Sequence, residues 1–249
     1  MIAKKLLLLG LLAQQGAWAN PVLPSAESVR ANNPELAANI DSMTPIRNRA
    51  GMWFFPGSHL ADPSTQALLL ERFHKRTDSD EIRRALVHRI DQELHHFSWG
   101  EIQSESHPEL RASMLHWTKR EHGPRAAELL RHALEDPSPI VRREAARLVG
   151  YKPLSATLTE GLIHALEDLS SETRAMAVRS LGWQKTPDVV HLVLPLLGDA
   201  DPDVVYRSLT ALDNLGATSP SIVPLLEPLQ NSLDERISQQ ARRMLQALP

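Results

Sequence analysis

The chain has no cysteine in its 249 residues. Disulfides, thiolate metal sites and a cysteine nucleophile are therefore excluded together. A lipid anchor that needs cysteine as its first mature residue is excluded as well. The formal net charge is −3, with 27 basic and 30 acidic residues, so the clearly basic balance of a general nucleic-acid binder is missing. Beyond residue 19 no apolar run is long enough to span a bilayer. The chain also lacks G-x-S-x-G, a phosphate-binding glycine-rich loop, H-E-x-x-H and any His-Glu dipeptide. No reaction can be read from these residues, and no cofactor is implied.

The first 19 residues read as a secretory signal. Lys4 and Lys5 form a positive start, Leu6 to Leu12 an apolar run broken by Gly10, and Ala17-Trp18-Ala19 an A-x-A cleavage site. Cleavage would leave Asn20 first and 25 basic against 30 acidic residues. The expected destination is the periplasm or beyond, with no integral membrane segment after cleavage.

The body of the chain repeats itself. HALEDPSPIVRREAARLVG, His132 to Gly150, returns 32 residues later as HALEDLSSETRAMAVRSLG, His164 to Gly182, with ten of 19 positions identical. Counting from the first apolar position of each copy and extending the register gives Ile82, Leu110, Val141, Thr173, Val204 and Ile237. A spacing near thirty marks a helical solenoid. Offsets of four and eight from these starts hold Leu86, Met114, Ala145, Ala177, Ser208 and Ala241, then Ile90, Thr118, Val149, Leu181, Leu212 and Leu245. Those offsets lie on one helix side, which is the buried one.

Another apolar helix precedes each: Ala67 to Phe73, Ala126 to Leu134, Leu158 to Leu166, Val189 to Leu197 and Ile222 to Leu229. Between the two helices stand turn signals such as Asp136-Pro137-Ser138-Pro139 and Asp199-Ala200-Asp201-Pro202. Gly150, Gly182 and Gly216 read as C-terminal stops.

Asp136, Val141-Arg142, Ala145-Ala146 and Leu148 to Gly150, echoed at Asp168, Arg174, Ala177 and Leu181-Gly182, resemble a HEAT repeat, in particular the short variety of phycobilisome lyases. The resemblance is strong over residues 126 to 216 and extends from about 64 to 249. It implies an all-α, right-handed α-solenoid of about five to six helix pairs. The expected division is a signal peptide at 1–19, an N-terminal cap at 20–62 and the solenoid at 63–249.

The resemblance also implies that the helix arginines, Arg83, Arg111, Arg142 and Arg174, are rungs of a structural ladder, each pairing with an Asp or a carbonyl of an adjacent repeat. Val205 and Ser238 break that series. Deoxyhypusine hydroxylases share the architecture but bind di-iron through His-Glu dipeptides, which are missing here. Phycobilin lyases share the repeat but work in the cytoplasm, and fold alone carries no activity across.

Aromatics are only 4% of the chain, so Trp53, Phe54 and Phe55 in GMWFFPG stand out. They are expected to cover the open end of the first repeat, or else to offer a hydrophobic contact to a partner. A short helix at Pro34 to Ile40, capped by Asn33, is expected before them. Eleven histidines raise a metal hypothesis. Its local candidates are His88, Asp91 and His95, spaced for one helix face. His132 and His164, equivalent across one repeat, form a weaker pair on the solvent side.

The remaining signal is a surface. Six residues after each helix start stand His88, His116, Arg147, Arg179, Thr210 and Arg243, opposite the apolar side and expected to point fully outward. Arg84, Arg143 and Tyr206 flank them at offset two. In HEAT-like solenoids second helices line the concave side, which makes this ridge a seat for a protein or acidic peptide segment, with Glu144 beside it as a neutralising charge. The partner-binding candidates are Arg143, Arg147, Arg179, Tyr206 and Arg243. The expected function is an exported, non-enzymatic binding scaffold or adaptor. The alternatives are a metal-dependent or accessory enzyme using His88 to His96, or a maturation factor for an exported enzyme.

Overall fold

A computed structural model describes residues 22–47, 53–55, 62–90, 97–121, 123–152, 155–185, 187–217 and 219–247. The expected signal peptide lies outside them. The chain forms two compact units, Met1–Phe97 and Ser98–Pro249.

In the first unit, helices α1 (Ala26–Asn32) and α2 (Pro34–Ser42) precede a short antiparallel pairing of β1 (Ile46–Arg47) with β2 (Trp53–Phe54), followed by the helix pair α3 (Pro63–Lys75) and α4 (Asp80–Arg89). Asn33 starts α2 as its composition predicts, its side chain accepting from the Leu36 N–H at 3.1 Å while Pro34 takes the first turn. The helix runs to Ser42, two residues past the expected end. Both α1 and α2 pack on α3, and β2 packs on α4.

Two arginines tie this N-terminal segment down. Arg30 holds Asp41 at 2.7 and 2.9 Å and Glu71 of α3 at 2.7 Å. Arg72 grips Asp78 at 2.8 and 2.9 Å and satisfies the carbonyls of Ile40 and Met43 at the end of α2, at 2.6 and 2.9 Å. Phe55 is buried, with the Arg72 guanidinium 5.8 Å from its ring centre. The side chains of Trp53 and Phe54 lie outside the described residues.

Among the described residues, the second unit is built from five helix pairs. They are α5 (Trp99–Ser104) with α6 (Pro108–Met114), α7 (Pro124–Leu134) with α8 (Pro139–Val149), and α9 (Ala156–Ala165) with α10 (Ser171–Trp183). Then come α11 (Val190–Val193) with α12 (Pro202–Asn214), and α13 (Val223–Leu226) with α14 (Glu235–Ala247). The expected register is the buried one: Val141, Ala145 and Val149 of α8, Thr173, Ala177 and Leu181 of α10, and Val204, Ser208 and Leu212 of α12 are all inaccessible. Adjacent second helices pack on one another in series, α6 on α8, α8 on α10, α10 on α12 and α12 on α14.

Three details depart from the periodicity. The first helix α5, capped by a reciprocal Ser98 and Glu101 capping box, carried too short an apolar signal to be expected. The expected continuous helices at 189–197 and 222–229 are instead short α-turns flanked by 3-10 segments, because Pro195, Pro224 and Pro228 interrupt the i to i−4 ladder. Gly150 and Gly182 are not left-handed stops: Gly150 has φ −57 and Gly182 lies inside α10. They are small for packing. A Cβ on Gly182 would stand 2.7 Å from the Ala211 Cα of α12, and one on Gly150 would stand 2.7 Å from the Ser180 Oγ. Only Gly216, with φ 68, has the left-handed conformation expected of a stop.

Candidate functional site

The turn aspartates and helix arginines of the second unit are joined in a repeating geometry. Arg111 donates to both Asp136 oxygens at 3.0 and 2.9 Å, Arg142 to both of Asp168 at 2.6 and 2.8 Å, and Arg174 to both of Asp199 at 2.7 and 2.8 Å. The Nη1 of each arginine donates to carbonyls of its own turn: Glu105 and Ser106, Asp136 and Pro137, or Asp168 and Leu169. Each aspartate in turn accepts the N–H two residues on, from Ser138, Ser170 or Asp201, at 2.8 to 2.9 Å. One carboxylate thus shapes a turn and binds the preceding repeat. Burial pushes the Asp168 carboxyl up, but hydrogen bonds from Arg142 and Ser170 outweigh it and hold it below its ordinary value. Arg83 is buried, its guanidinium 4.9 Å from the Phe73 ring centre.

These contacts occupy one side of the second helices, and the candidate binding face occupies another. Of the offset-six residues, His116, Arg147, Arg179 and Thr210 are half-buried between neighbouring helices rather than fully outward, whereas His88 and Arg243 are exposed. Arg147 of α8 is held by Glu144 in a bidentate pair at 2.8 and 2.5 Å, and His116 meets the same carboxylate at 2.9 Å. Burial raises the Glu144 carboxyl, yet the hydrogen bonds from Arg147 and His116 prevail and bring it to about 2. Arg143 reaches Glu172 of α10 at 2.5 Å, and Arg243 of α14 pairs with Asp213 of α12. Tyr206 of α12 carries the Arg236 guanidinium 5.0 Å from its ring centre.

Arg179 of α10 is different. Its guanidinium lies 3.9 Å from the ring centre of Trp183, one turn further along the same helix. Trp183 is 45% exposed and meets Tyr151 edge-on, with centres 5.9 Å apart. Arg179, Trp183, Tyr206, Arg207, Thr210 and Asn214 line a pocket of about 160 Å³ between α10 and α12. Burial, then the charge of Arg207, lowers the Arg179 guanidinium from its ordinary value.

Sequence reading missed Tyr151 and Trp183. Both stand at offset ten from their helix starts, one turn past the offset-six row and on the same side, so extending the register by one turn would have found them. Lys152 was missed too: buried, it donates to the carbonyls of Thr118 and of Glu121, the latter at 2.6 Å, and burial pulls its ammonium down to about 8.

Among the histidines, His88 is exposed in the last turn of α4, whereas Asp91 and His95 lie outside the described residues. His132 stacks on Trp99, with centres 5.6 Å apart and an interplanar angle of 15°, and His164 faces a separate pocket with Arg131 and Asp168. Among the described residues, no group of three or more His, Asp or Glu side chains gathers to hold a metal ion. No helix among them is long and apolar enough to cross a membrane.

Comparison with known proteins agrees with this architecture. The HEAT-repeat family matches over residues 159–246. Among solved structures, the complex of CpcE and CpcF of phycocyanin lyase from a Nostoc species aligns with a TM-score of 0.50 and 24% identity. That alignment covers 62% of this chain and 66% of that one, just under two thirds of the lyase chain's length. The Escherichia coli protein YibA aligns at 0.56 with 15% identity, covering 89% of this chain and 85% of that one. A computationally designed armadillo repeat protein for modular peptide recognition aligns at 0.47 with 15% identity, over 87% and 99% of the two chains. No curated protein sequence matches the chain. The chain is an all-α solenoid with a HEAT-like repeat, and at these identities the likeness is one of fold.

Proposed function

We propose that this protein is an exported, non-enzymatic binding scaffold or adaptor whose second helices present a concave face to another protein or to an acidic peptide segment. The observation that carries the reading is the continuity of that face. Arg143, Arg147, Arg179, Tyr206 and Arg243 come from four successive, mutually packed second helices, α8, α10, α12 and α14. A stack of this kind offers one extended surface without any single deep pocket.

Several of these arginines already have internal carboxylates, and their exposure decides what that means. The Arg143 pair with Glu172 is open to solvent, at 40% and 66% side-chain exposure, and Arg243 is 69% exposed. Exposed pairs contribute little and exchange partners readily. Arg147, held by the more buried Glu144, shapes the face around Tyr151.

Export rests on Lys4, Lys5, the Leu6 to Leu12 run and the Ala17-Trp18-Ala19 site. The expected location is periplasmic or secreted. N-terminal sequencing of the protein recovered outside the cytoplasm should begin at Asn20; a retained Met1 would refute processing. Function is tested by affinity capture from the corresponding extract beside the double substitution Arg147→Ala and Arg179→Ala. A partner retained by the wild type and lost by the double variant, with both folded, is the expected result. Identical profiles from the two proteins would remove this face as the binding surface.

A further inference from the structure

The internal repeat supplies its own control for one position. In α8, Arg147 sits at offset six and Glu144, three residues earlier, is its bidentate acceptor. In α10 the same two positions hold Arg179 and Met176, so the cation is kept and its built-in carboxylate is replaced by a thioether. Among the described residues the one acceptor meeting the Arg179 guanidinium is the Met176 sulfur, 3.6 Å from Nη1. A thioether is a weak acceptor, and a guanidinium carries five N–H donors in its plane.

The site around this cation is organised. Trp183 lies against the guanidinium, whose carbon is 3.9 Å from the ring centre. Arg207, itself paired with Asp203 at 2.9 Å, adds positive field from α12. Tyr206, Thr210 and Asn214 complete the wall of a pocket of about 160 Å³. Burial, and then the positive charge of Arg207, depress the Arg179 guanidinium.

Resting on the scaffold reading above, we propose that the Arg179 pocket is the anchor of the binding face and receives the side-chain carboxylate of a Glu or Asp in an extended partner segment. The partner's carboxylate takes the place that Glu144 holds one repeat earlier, forming charge-assisted bonds to the Arg179 guanidinium. The commitment to an acidic side chain comes from charge complementarity and from the equivalence of the two repeats. Trp183 is a positioning residue, fixing the plane of the guanidinium.

The test uses the folded chain and fluorescein-labelled octaglutamate, acetylated and amidated so that only side-chain carboxylates are present, with octaglutamine as its neutral counterpart. Anisotropy should show binding of octaglutamate only. R179Q should weaken it by about tenfold or more, and R179K should recover only part, because a point charge replaces a planar fork. M176E should also weaken it by about tenfold with Arg179 intact, by restoring the internal carboxylate. R242Q, outside the candidate face, should change it by less than about threefold, since that exposed guanidinium donates to the Gln230 carbonyl. Circular dichroism melts verify that each variant is folded.

Octaglutamate binding that survives both R179Q and M176E would remove Arg179 as anchor. A wild-type chain that fails to bind octaglutamate would overturn the acidic partner. A natural partner captured equally by wild type and R179Q would also overturn the anchor, while leaving the scaffold function in place.

Discussion

A single carboxylate performs several tasks in this protein, and its burial decides how much its removal costs. Asp136 accepts from Nε and Nη2 of Arg111 and from the Ser138 N–H, and is nearly inaccessible. Asp136→Ala strands a buried guanidinium and opens the turn, so equilibrium unfolding in urea should show a loss of about 3 kcal/mol or more. Arg143→Ala, at an exposed pair, should cost under about 1 kcal/mol in the same assay. Glu144 makes stability depend on acid. Its folded value is about 2 against an ordinary 4.5, so the native state binds fewer protons than the unfolded chain between those values. The contribution is fully present above about 4.5 and is lost as pH falls toward 2. Urea melts across this window should show wild type more stable than Glu144→Gln by up to about 3 kcal/mol at neutral pH, with the difference vanishing near the acid end. An unchanging difference would show that the charge on Glu144 is not what stabilises the fold.

At the scale of elements, the closeness of second helices governs what the chain tolerates. Gly182→Ala drives a methyl against the Ala211 backbone of α12, and thermal or urea unfolding should show a loss of about 1 to 3 kcal/mol. Gly100→Ala, in the first turn of α5 with nothing within 4 Å of the added methyl, should be neutral or stabilise by up to about 1 kcal/mol. The 32-residue echo marks both Gly150 and Gly182 as helix stops; Gly150 does cap the end of α8, but Gly182 does not end α10. Glycine at a helix end reads as a stop in one dimension, whereas here the helix passes through Gly182 because another backbone lies beside it. The prolines after residue 186 are equally visible, but the apolar spacing around them predicts continuous helices. They break two first helices into 3-10 turns while leaving Val193, Leu197, Ile222 and Leu226 buried, so the apolar pattern survived where the regular helix did not.

At the scale of the whole molecule, stability in the second unit is carried by nearest-neighbour contacts between repeats. Helix α10 is flanked by both α8 and α12, whereas α14 packs on α12 alone among the second helices of that unit. Amide hydrogen exchange under native conditions should therefore release α14 at least about tenfold faster than the centre of α10. Equal protection throughout would mean that the array unfolds as one cooperative block. The amino-acid sequence by itself determined the repeat period, the buried register at offsets zero, four and eight, and the alternation of Asp turns with helix arginines. These are local patterns whose meaning follows from helix geometry. Tertiary structure alone decided which arginines of the outer face are neutralised, because Glu172 and Asp213 reach Arg143 and Arg243 from neighbouring helices 29 and 30 residues away in the chain. It also decided that Trp183 and Tyr206 close a pocket around Arg179, since the distance between α10 and α12 is set by the fit of Gly182 against Ala211, a contact between side chains and backbone that periodicity does not encode.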